Sequence, residues 1–289
     1  MRVADLTVSQ NFLTDPELVH KLAVRAGISK DDTVLDIGAG KGIITEALAG
    51  IAGSVISLEL DRGLHQQLKE KFAGNPRVQV INEDFLNFLI PTRPYKVFSN
   101  IPFSITSLIV NKLLFTGRVP DDAFLVMQKE AANRFMGKGE GYLFSLLTQP
   151  FFDLSVFYKF KREDFSPSPA VDVAMLRIHK KERPLITTEF RDLYFDFICY
   201  VVNQQKSTLK LRLNRIFTAV QFYRISSELK FSVTASVKEL TFSQWLSLFE
   251  KYLSFVDREK KSLTFGAYTH YRKITSGTKK VTRTRVRRP

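Results

Sequence analysis

The sequence predicts an α/β fold followed by a smaller all-helical domain. Up to about residue 180, short runs of β-branched and aromatic residues alternate with helical stretches, which is the pattern of an open α/β sheet. A glycine-rich turn follows the first of these runs. After Arg183 and Pro184 the strand pattern stops and the hydrophobic period becomes helical. A chain of 289 residues has room for two such domains.

Seven strands are expected in the α/β part, over residues 34–37, 55–58, 78–81, 96–99, 123–127, 154–160 and 173–178. Asp15 can cap a helix over residues 17–26, Pro16 suits its first turn, and Gly27 can end it in a left-handed conformation. Further helices are expected over residues 43–48 and 107–115. Residues 137–141 predict a flexible loop, and residues 165–169 predict a stiff extended connection.

The helical part extends from residue 190 to about residue 255. Apolar residues that recur at helical spacing place one face at Phe190, Leu193, Tyr194, Phe197, Ile198 and Val201. Cys199 lies in the same apolar run, which favours a buried small hydrophobe over a reactive thiol.

The net charge of +14 is unevenly distributed along the chain. Residues 1–182 contribute +1, residues 183–270 contribute +5, and residues 271–289, which contain eight cations and no acid, contribute +8. Clustered Lys and Arg gain affinity by releasing counterions from phosphates, so the pattern indicates a near-neutral domain followed by a polyanion-binding region. Nucleic acid is the first partner to consider, and a solvated tail without a partner is the alternative.

Several classes of protein are disfavoured. The first ten residues lack the pattern of a signal peptide, one cysteine cannot form an internal disulfide, and no apolar run has the length of a membrane span. We therefore expect a cytoplasmic protein that does not enter a membrane. The four histidines are scattered without metal-ligand spacing, so we expect no metal; they are His20, His65, His179 and His270.

The glycine-rich turn indicates a site for a nucleoside-bearing cofactor. Glycines such as Gly38 and Gly40 let the backbone approach a ligand closely. Glu59 follows at the end of the second strand, where a carboxylate can accept both hydroxyls of a ribose. The turn alone leaves three interpretations open: a methyl-donor site, a dinucleotide site and a structural turn. At the end of the third strand, Asp84 can accept from an adenine amino group while Phe85 flanks the ring, although an Asp there also caps turns.

The fourth strand ends in Asn100-Ile101-Pro102-Phe103, the most informative motif of the chain. The exocyclic amine of a nucleobase is a poor nucleophile because its lone pair is delocalised into the ring. The side-chain oxygen of Asn100 and the carbonyl of Ile101 can each accept one amino hydrogen, and Pro102 stiffens the backbone that presents them. Phe103 offers a flat face on which an extruded base can stack. A turn whose Asn caps the next helix is the alternative.

Taken together, these motifs resemble the Erm family of ribosomal RNA adenine dimethyltransferases, which is related to the KsgA-type enzymes. Residues 9–13 resemble its N-terminal signature, and residues 165–172 resemble its Phe-x-Pro-x-Pro-x-Val-Asp segment. The resemblance implies a Rossmann-like methyltransferase sheet that binds S-adenosyl-L-methionine through Asn11, Leu13, Gly38, Gly40, Glu59, Asp84, Phe85 and Asn100. It implies that the catalytic group consists of Asn100, Ile101, Pro102, Phe103 and Phe165, with Phe165 on the other side of the target base.

Two details favour the Erm branch over the KsgA-type branch. KsgA-type enzymes usually carry Asn-Leu-Pro-Tyr, whereas this chain has Ile101 and Phe103. Residues 244–249 resemble an Erm segment near the C-terminus, with Trp245 in place of Phe. Three alternatives remain: a small-subunit enzyme of the KsgA type, a non-catalytic nucleic-acid-binding factor on the same fold, and, more remotely, a nicotinamide enzyme.

The Erm resemblance implies methylation of one adenine in 23S rRNA, as protein-free or precursor RNA, and resistance to macrolide, lincosamide and streptogramin B antibiotics. We expect a monomer with a catalytic domain over residues 1–182, a helical RNA-binding domain over 183–256 and a basic tail over 257–289. In the helical domain, cations that either contact RNA phosphates or form a solvated face are Lys206, Lys210, Arg212 and Arg215. Those expected to bind RNA in the tail are Lys279, Lys280, Arg283, Arg285, Arg287 and Arg288.

Overall fold

The computed structural model describes residues 11–137 and 142–277, with side chains described as far as residue 274. The chain divides into two compact units. Within the described residues, the first unit comprises residues 11–137 and Phe151–Pro184, and the second comprises Tyr142–Pro150 and residues 185–277. In these described ranges no helix is both long and apolar enough to cross a membrane.

The first unit contains a seven-stranded mixed sheet and a separate two-stranded ribbon. Its strands are β1 (Phe12–Leu13), β2 (Thr33–Ile37), β3 (Ser54–Leu58), β4 (Val78–Ile81), β5 (Lys96–Asn100), β6 (Asp122–Gln128), β7 (Phe152–Lys159), β8 (Phe165–Ser166) and β9 (Val173–Lys180). All seven predicted strands are confirmed, with ends that differ by at most two residues. The short strands β1 and β8 pair antiparallel in a separate ribbon, with Leu13 opposite Phe165.

The seven main strands have the order β4-β3-β2-β5-β6-β9-β7. The first five are parallel, whereas β9 is antiparallel to both β6 and β7. From β2 the chain builds outwards to β3 and β4, then returns to place β5 on the other side of β2. Ligands of open α/β sheets bind at such a reversal, outside the carboxyl ends of the strands. Strand β6 is buried along almost its whole length, as expected of a strand covered on both faces.

The helices of the first unit are α1 (Pro16–Arg25), α2 (Ile43–Ile51), α3 (Arg62–Lys71), α4 (Thr106–Phe115) and α5 (Lys129–Phe135). The predicted capping of α1 is confirmed: Oδ1 of Asp15 accepts from the backbone N–H groups of Glu17 and Leu18, and Gly27 has a φ of +68°. The helices expected over residues 43–48 and 107–115 are present as α2 and α4. Of the loop expected over residues 137–141, residues 138–141 lie outside the described residues.

The second unit is all-helical, as the sequence predicts. Its helices are α6 (Tyr142–Thr148), α7 (Arg191–Val202), α8 (Leu209–Leu213), α9 (Ala219–Glu228), α10 (Phe242–Phe255), α11 (Arg258–Ser262) and α12 (Ala267–Gly277). On the predicted face of α7, the buried residues are Tyr194, Phe197, Ile198 and Val201, whereas Leu193 is half-buried and Phe190 is exposed. Cys199 is buried as well, and burial raises the pKa of its thiol to about 12.

The main boundary lies two residues after the predicted one, at Pro184, and two larger differences concern residues 142–150 and the predicted tail. Residues 142–150 belong to the helical unit, because Tyr194 donates to the carbonyl of Leu146 at 2.8 Å and the indole of Trp245 donates to Tyr142. The predicted tail, residues 257–289, includes two helices of the second unit, α11 and α12. The backbone N–H groups of Gly266 and Tyr268 both donate to the carboxylate of Asp196 at 2.9 Å.

Candidate active site

A cavity of about 660 Å³ opens at the carboxyl ends of β2, β3, β4 and β5, where the strand order reverses. It gathers segments that are far apart in the sequence. Its lining consists of Asn11, Phe12, Ile37, Gly38, residues 58–63, residues 82–85, residues 100–105 and Ile109. Most of the predicted site residues therefore meet in one place.

Three predicted residues do not line this cavity. Gly40 contacts the site through Glu59, and Leu13 borders a smaller neighbouring cavity of about 30 Å³. Phe165, expected beside the target base, is only 4% exposed, and its ring centre lies 5.3 Å from that of Phe160. Pairing of β8 with β1 carries the ring into the core cluster against which Phe103 packs. In this structure Phe165 supports the site from within the core.

The glycine turn has the conformation that its sequence requires. Gly38 and Gly40 have φ values of +71° and +57°, in the left-handed region that favours glycine. The N–H groups of Gly38 and Ala39 both donate to the carbonyl of Leu58, at 2.8 and 3.0 Å. A Cβ on Gly40 would lie 2.7 Å from Cε1 of Phe12, so the N-terminal segment packs directly on the turn.

Glu59 is held from both sides by backbone donors. It is 3% exposed; the N–H of Gly40 donates to Oε2 at 2.7 Å, and the N–H of Asp61 donates to Oε1 at 2.9 Å. These two bonds fix the plane of the carboxylate at the edge of the cavity. Because each carboxylate oxygen can accept more than one hydrogen bond, Glu59 can also accept a pair of hydroxyl groups.

The loop after β4 presents Asp84 and Phe85 to the cavity. Oδ1 of Asp84 accepts from the N–H of Leu86 at 2.8 Å, so the residue does cap a turn and also lines the cavity. Lys112 on α4 holds this loop: its Nζ donates to the carbonyls of Leu86 and Phe88, at 2.9 and 2.6 Å, and lies 5.2 Å from the ring centre of Phe85. Burial lowers the pKa of the Lys112 ammonium.

The orientation of the Asn100 side chain is set by the N-terminal segment. Nδ2 of Asn100 donates to the carbonyl of Asn11 at 2.7 Å. A carbonyl can only accept, so the amide nitrogen must face Asn11, and Oδ1 remains an acceptor for another donor. In the turn that follows Asn100, the N–H of Ile105 donates to the carbonyl of Pro102 at 3.2 Å. This turn presents Phe103 to the cavity.

Asp36, at the carboxyl end of β2, was not among the predicted site residues but borders the smaller cavity. It is fully buried, its Oδ2 accepts from Oγ1 of Thr45 at 2.7 Å, and its Oδ1 has no hydrogen-bond partner among the described residues. Burial, together with the nearby charge of Glu59, raises its pKa to about 7. The carboxyl borders the smaller cavity beside Gly38 and Asn100, where a cationic group would satisfy it.

The cations expected to bind RNA have different surroundings in the helical unit. Arg212 is turned into the protein: Nη1 donates to the carbonyls of Val201 and Val202, and Nε donates to that of Lys206. It ties the end of α7 to the following loop, a role that differs from the expected phosphate contact. Lys206 and Arg215 are exposed, and Lys210 is half-buried. The six tail cations lie outside the described residues.

No group of three or more His, Cys, Asp or Glu side chains that could hold a metal ion is found in the described part of the chain. The groups that line the cavity are carboxylates, an amide, backbone groups and aromatic rings. This set of groups suits a nucleoside ligand that carries positive charge and a second flat ligand that donates amino hydrogens.

Known proteins share this sequence pattern. The profile of the family described as ribosomal RNA adenine dimethylase matches residues 4–253. A protein of Bacteroides fragilis named rRNA adenine N-6-methyltransferase is 35% identical over 249 residues, which cover 86% of this chain and 93% of the relative. A protein of the same name from Bacillus anthracis is 32% identical over 255 residues, which cover 87% and 88%.

Solved structures share the fold. The crystal structure of the 23S rRNA methyltransferase ErmE superimposes with a TM-score of 0.74 at 30% identity, covering 84% of this chain and 99% of that one. A dimethyladenosine transferase from Plasmodium falciparum gives a TM-score of 0.62 at 21% identity, covering 91% and 98%, which shows a common fold.

Proposed function

The chain belongs to the ribosomal RNA adenine dimethylase family, and from that membership we propose that it methylates the N6 amino group of one adenine in 23S rRNA. This membership confirms the family that the sequence motifs indicated. Two observations favour the 23S target: Ile101 and Phe103 in the motif, and the 30% identity to ErmE. By the same reasoning, expression of the protein would confer resistance to macrolide, lincosamide and streptogramin B antibiotics.

The residues of the cavity fit S-adenosylmethionine as the methyl donor. When bound, this group supplies an electrophilic methyl on a sulfonium centre. Glu59 would hold the ribose hydroxyls and Asp84 the adenine amino group, while Gly38 allows close approach of the backbone. Oδ1 of Asp36, which has no partner among the described residues, supports the fit, because the ammonium group of the methionine end would satisfy a buried carboxyl beside the glycine turn.

The hydrogen bond from Asn100 to Asn11 is the single observation that carries the proposed mechanism. It leaves Oδ1 of Asn100 and the carbonyl of Ile101 as the two acceptors for the amino hydrogens of the target adenine. Accepting both hydrogens would draw the nitrogen towards tetrahedral geometry and turn its lone pair towards the methyl donor. Phe103 would hold the base by stacking, and proximity and orientation would supply most of the rate.

We further propose that the protein acts as a monomer in the cytoplasm, where ribosomal RNA is accessible before assembly. The basic residues after Gly277 would add contacts to RNA phosphates. Deleting residues 278–289 should then weaken RNA binding and flatten its salt dependence without changing the affinity for S-adenosylmethionine. An unchanged salt slope would favour a solvated tail.

Transfer of labelled methyl groups tests the function. The protein is incubated with labelled S-adenosylmethionine and either protein-free 23S rRNA or protein-free 16S rRNA, and the modified nucleotide is mapped by primer extension. We expect methyladenine in 23S rRNA alone. Label in 16S rRNA would favour the KsgA-type alternative, and no label from a folded protein that binds the cofactor would favour a non-catalytic RNA-binding factor.

A further inference from the structure

The excess charge of the helical unit is concentrated in one short segment. Residues 203–230 contain six Lys and Arg but only one acid, Glu228, so they carry the whole +5 of residues 183–270. The acid is itself compensated from outside the segment, because Oε2 of Glu228 lies 2.7 Å from Nζ of Lys251 on α10. Arg212 is turned into the protein, and the excess charge of the other five cations favours a polyanionic partner.

The outer face of α9 adds two exposed apolar side chains to this charge, Val220 and Tyr223. Val220, Tyr223, Arg224 and Ser227 recur at the spacing of one helix face, opposite the buried residues Phe222 and Ile225. Val220 is 79% exposed and Tyr223 is 48% exposed. A solvated helix face needs no large exposed aromatic side chain. An aromatic ring exposed among cations therefore favours a binding role for this face.

Lys210 on α8 extends to the exposed ring. Its Nζ donates to Oη of Tyr223 at 2.6 Å and lies 4.4 Å from the ring centre. The ammonium keeps further N–H donors, and the phenol, which accepts from Lys210, keeps its own O–H as a donor. The pair therefore offers donors for phosphate oxygens directly beside a flat apolar ring.

We propose that Lys210, Val220, Tyr223 and Arg224, which we call the α8–α9 platform, bind an unpaired stretch of RNA, with one base stacked on Tyr223. Lys210 and Arg224 hold the adjoining phosphates, and Val220 covers the edge of the stacked base. Stacking on an aromatic ring tolerates any base, so the platform contributes affinity rather than choice of sequence. This inference rests on the proposed function for the identity of the partner as RNA.

Binding of a single-stranded RNA oligonucleotide to the full chain, followed by fluorescence anisotropy, tests the platform. Tyr223→Ala should weaken binding about 10-fold, since stacking is worth roughly 1–3 kcal/mol per base. Tyr223→Phe keeps the ring and should stay within about twofold of the wild type. Phe265→Leu removes another exposed aromatic of the same unit, 59% exposed, and should have no effect.

A salt titration separates stacking from charge. Tyr223→Ala should leave the slope of log affinity against log salt unchanged, whereas Arg224→Gln should reduce its magnitude by about 0.7, the value for one lost phosphate contact on a single strand. Circular dichroism and calorimetric titration with S-adenosylmethionine confirm that each variant is folded and binds the cofactor.

Three results would overturn the platform. One is wild-type RNA affinity in Tyr223→Ala; another is an equal loss in Phe265→Leu. The third is loss of binding to vesicles of anionic lipid with RNA binding intact, which would assign the surface to lipid. Methyl transfer to 23S rRNA is measured on the same variants with saturating RNA, so failure of the platform leaves the proposed function standing, and failure of methyl transfer leaves the binding result interpretable.

Discussion

The side-chain nitrogen of Asn100 donates a 2.7 Å hydrogen bond to the backbone carbonyl of Asn11, although 89 residues separate the two in the sequence. Asn100 ends the central strand β5, and Asn11 immediately precedes β1. Because the carbonyl of Asn11 selects the amide nitrogen, the amide oxygen is oriented before any substrate binds.

Replacing Asn100 tests this orientation. Asn100→Ala removes the acceptor, and Asn100→Asp places a carboxylate against the carbonyl of Asn11, so both should lower kcat about 100-fold or more. RNA affinity should not change in either variant, because in the proposed mechanism Asn100 would contact only one base. Single-turnover methyl transfer and RNA binding provide the two measurements. Wild-type turnover in Asn100→Ala would show that the catalytic assignment is incorrect.

Gly40 should not tolerate a side chain. In Gly40→Ala the Cβ would meet the ring of Phe12, and the positive φ adds strain of about 1–2 kcal/mol. We expect a lower free energy of unfolding in urea and weaker cofactor binding. Gly50→Ala is the matched control: this glycine lies in α2 with open space around it, so the same change should stabilise by roughly 0.5–1 kcal/mol.

Lys112 should act on the cofactor through the loop that it holds. Lys112→Met keeps the aliphatic stem but removes the donors to Leu86 and Phe88, so Asp84 and Phe85 lose their fixed position. We expect the KM for S-adenosylmethionine to rise about 10-fold, with the KM for RNA unchanged. Lys69→Met, an exposed lysine on α3, is the control. A rise in both KM values would instead indicate general destabilisation.

Asp36 should make stability depend on pH. Its pKa is raised from about 3.8 in the unfolded chain to about 7 in the folded protein. The folded state therefore binds the proton more tightly, and the free energy of unfolding should fall as the pH rises from about 4 to about 7. Asp36→Asn removes this dependence, and Asp31→Asn, on the surface, should not. Urea unfolding across this range provides the measurement.

The same carboxyl should couple cofactor binding to pH. If ionised Asp36 pairs with the positive charge of S-adenosylmethionine, affinity should increase as the pH rises through about 7, and the increase should vanish in Asp36→Asn. Calorimetric titrations between pH 6 and 8 measure it. A pH-independent affinity in the wild type would contradict the pairing.

Arg212 and Arg215 should differ in their contribution to thermal stability. Arg212→Gln removes bonds to three carbonyls and should lower the Tm by several degrees, because the end of α7 loses its ties. Arg215→Gln, at an exposed position, should leave the Tm unchanged. Thermal unfolding followed by circular dichroism distinguishes them, and equal Tm values would argue against the structural role of Arg212.

The sequence by itself determined the seven main strands, the capped helix α1, the all-helical second unit and nine of the residues that line the cavity. These features depend on local chemistry: strand propensity, helix caps, glycines at positive φ and carboxylates at strand ends. Such properties belong to short segments and do not require knowledge of the tertiary structure. Asn100 to Phe103 could be assigned to one site because parallel strands bring their carboxyl ends to the same edge of the sheet.

Only the tertiary structure decided what each polar side chain contacts. Lys112 and Arg212 donate to backbone carbonyls that are distant in the sequence, and Oδ1 of Asp36 is buried without a partner among the residues that the structure describes. Likewise, Phe165 lies in the core and α6 joins the helical unit. The spacing of residues along the chain does not predict such partners, because they are determined by packing between segments that are distant in the sequence.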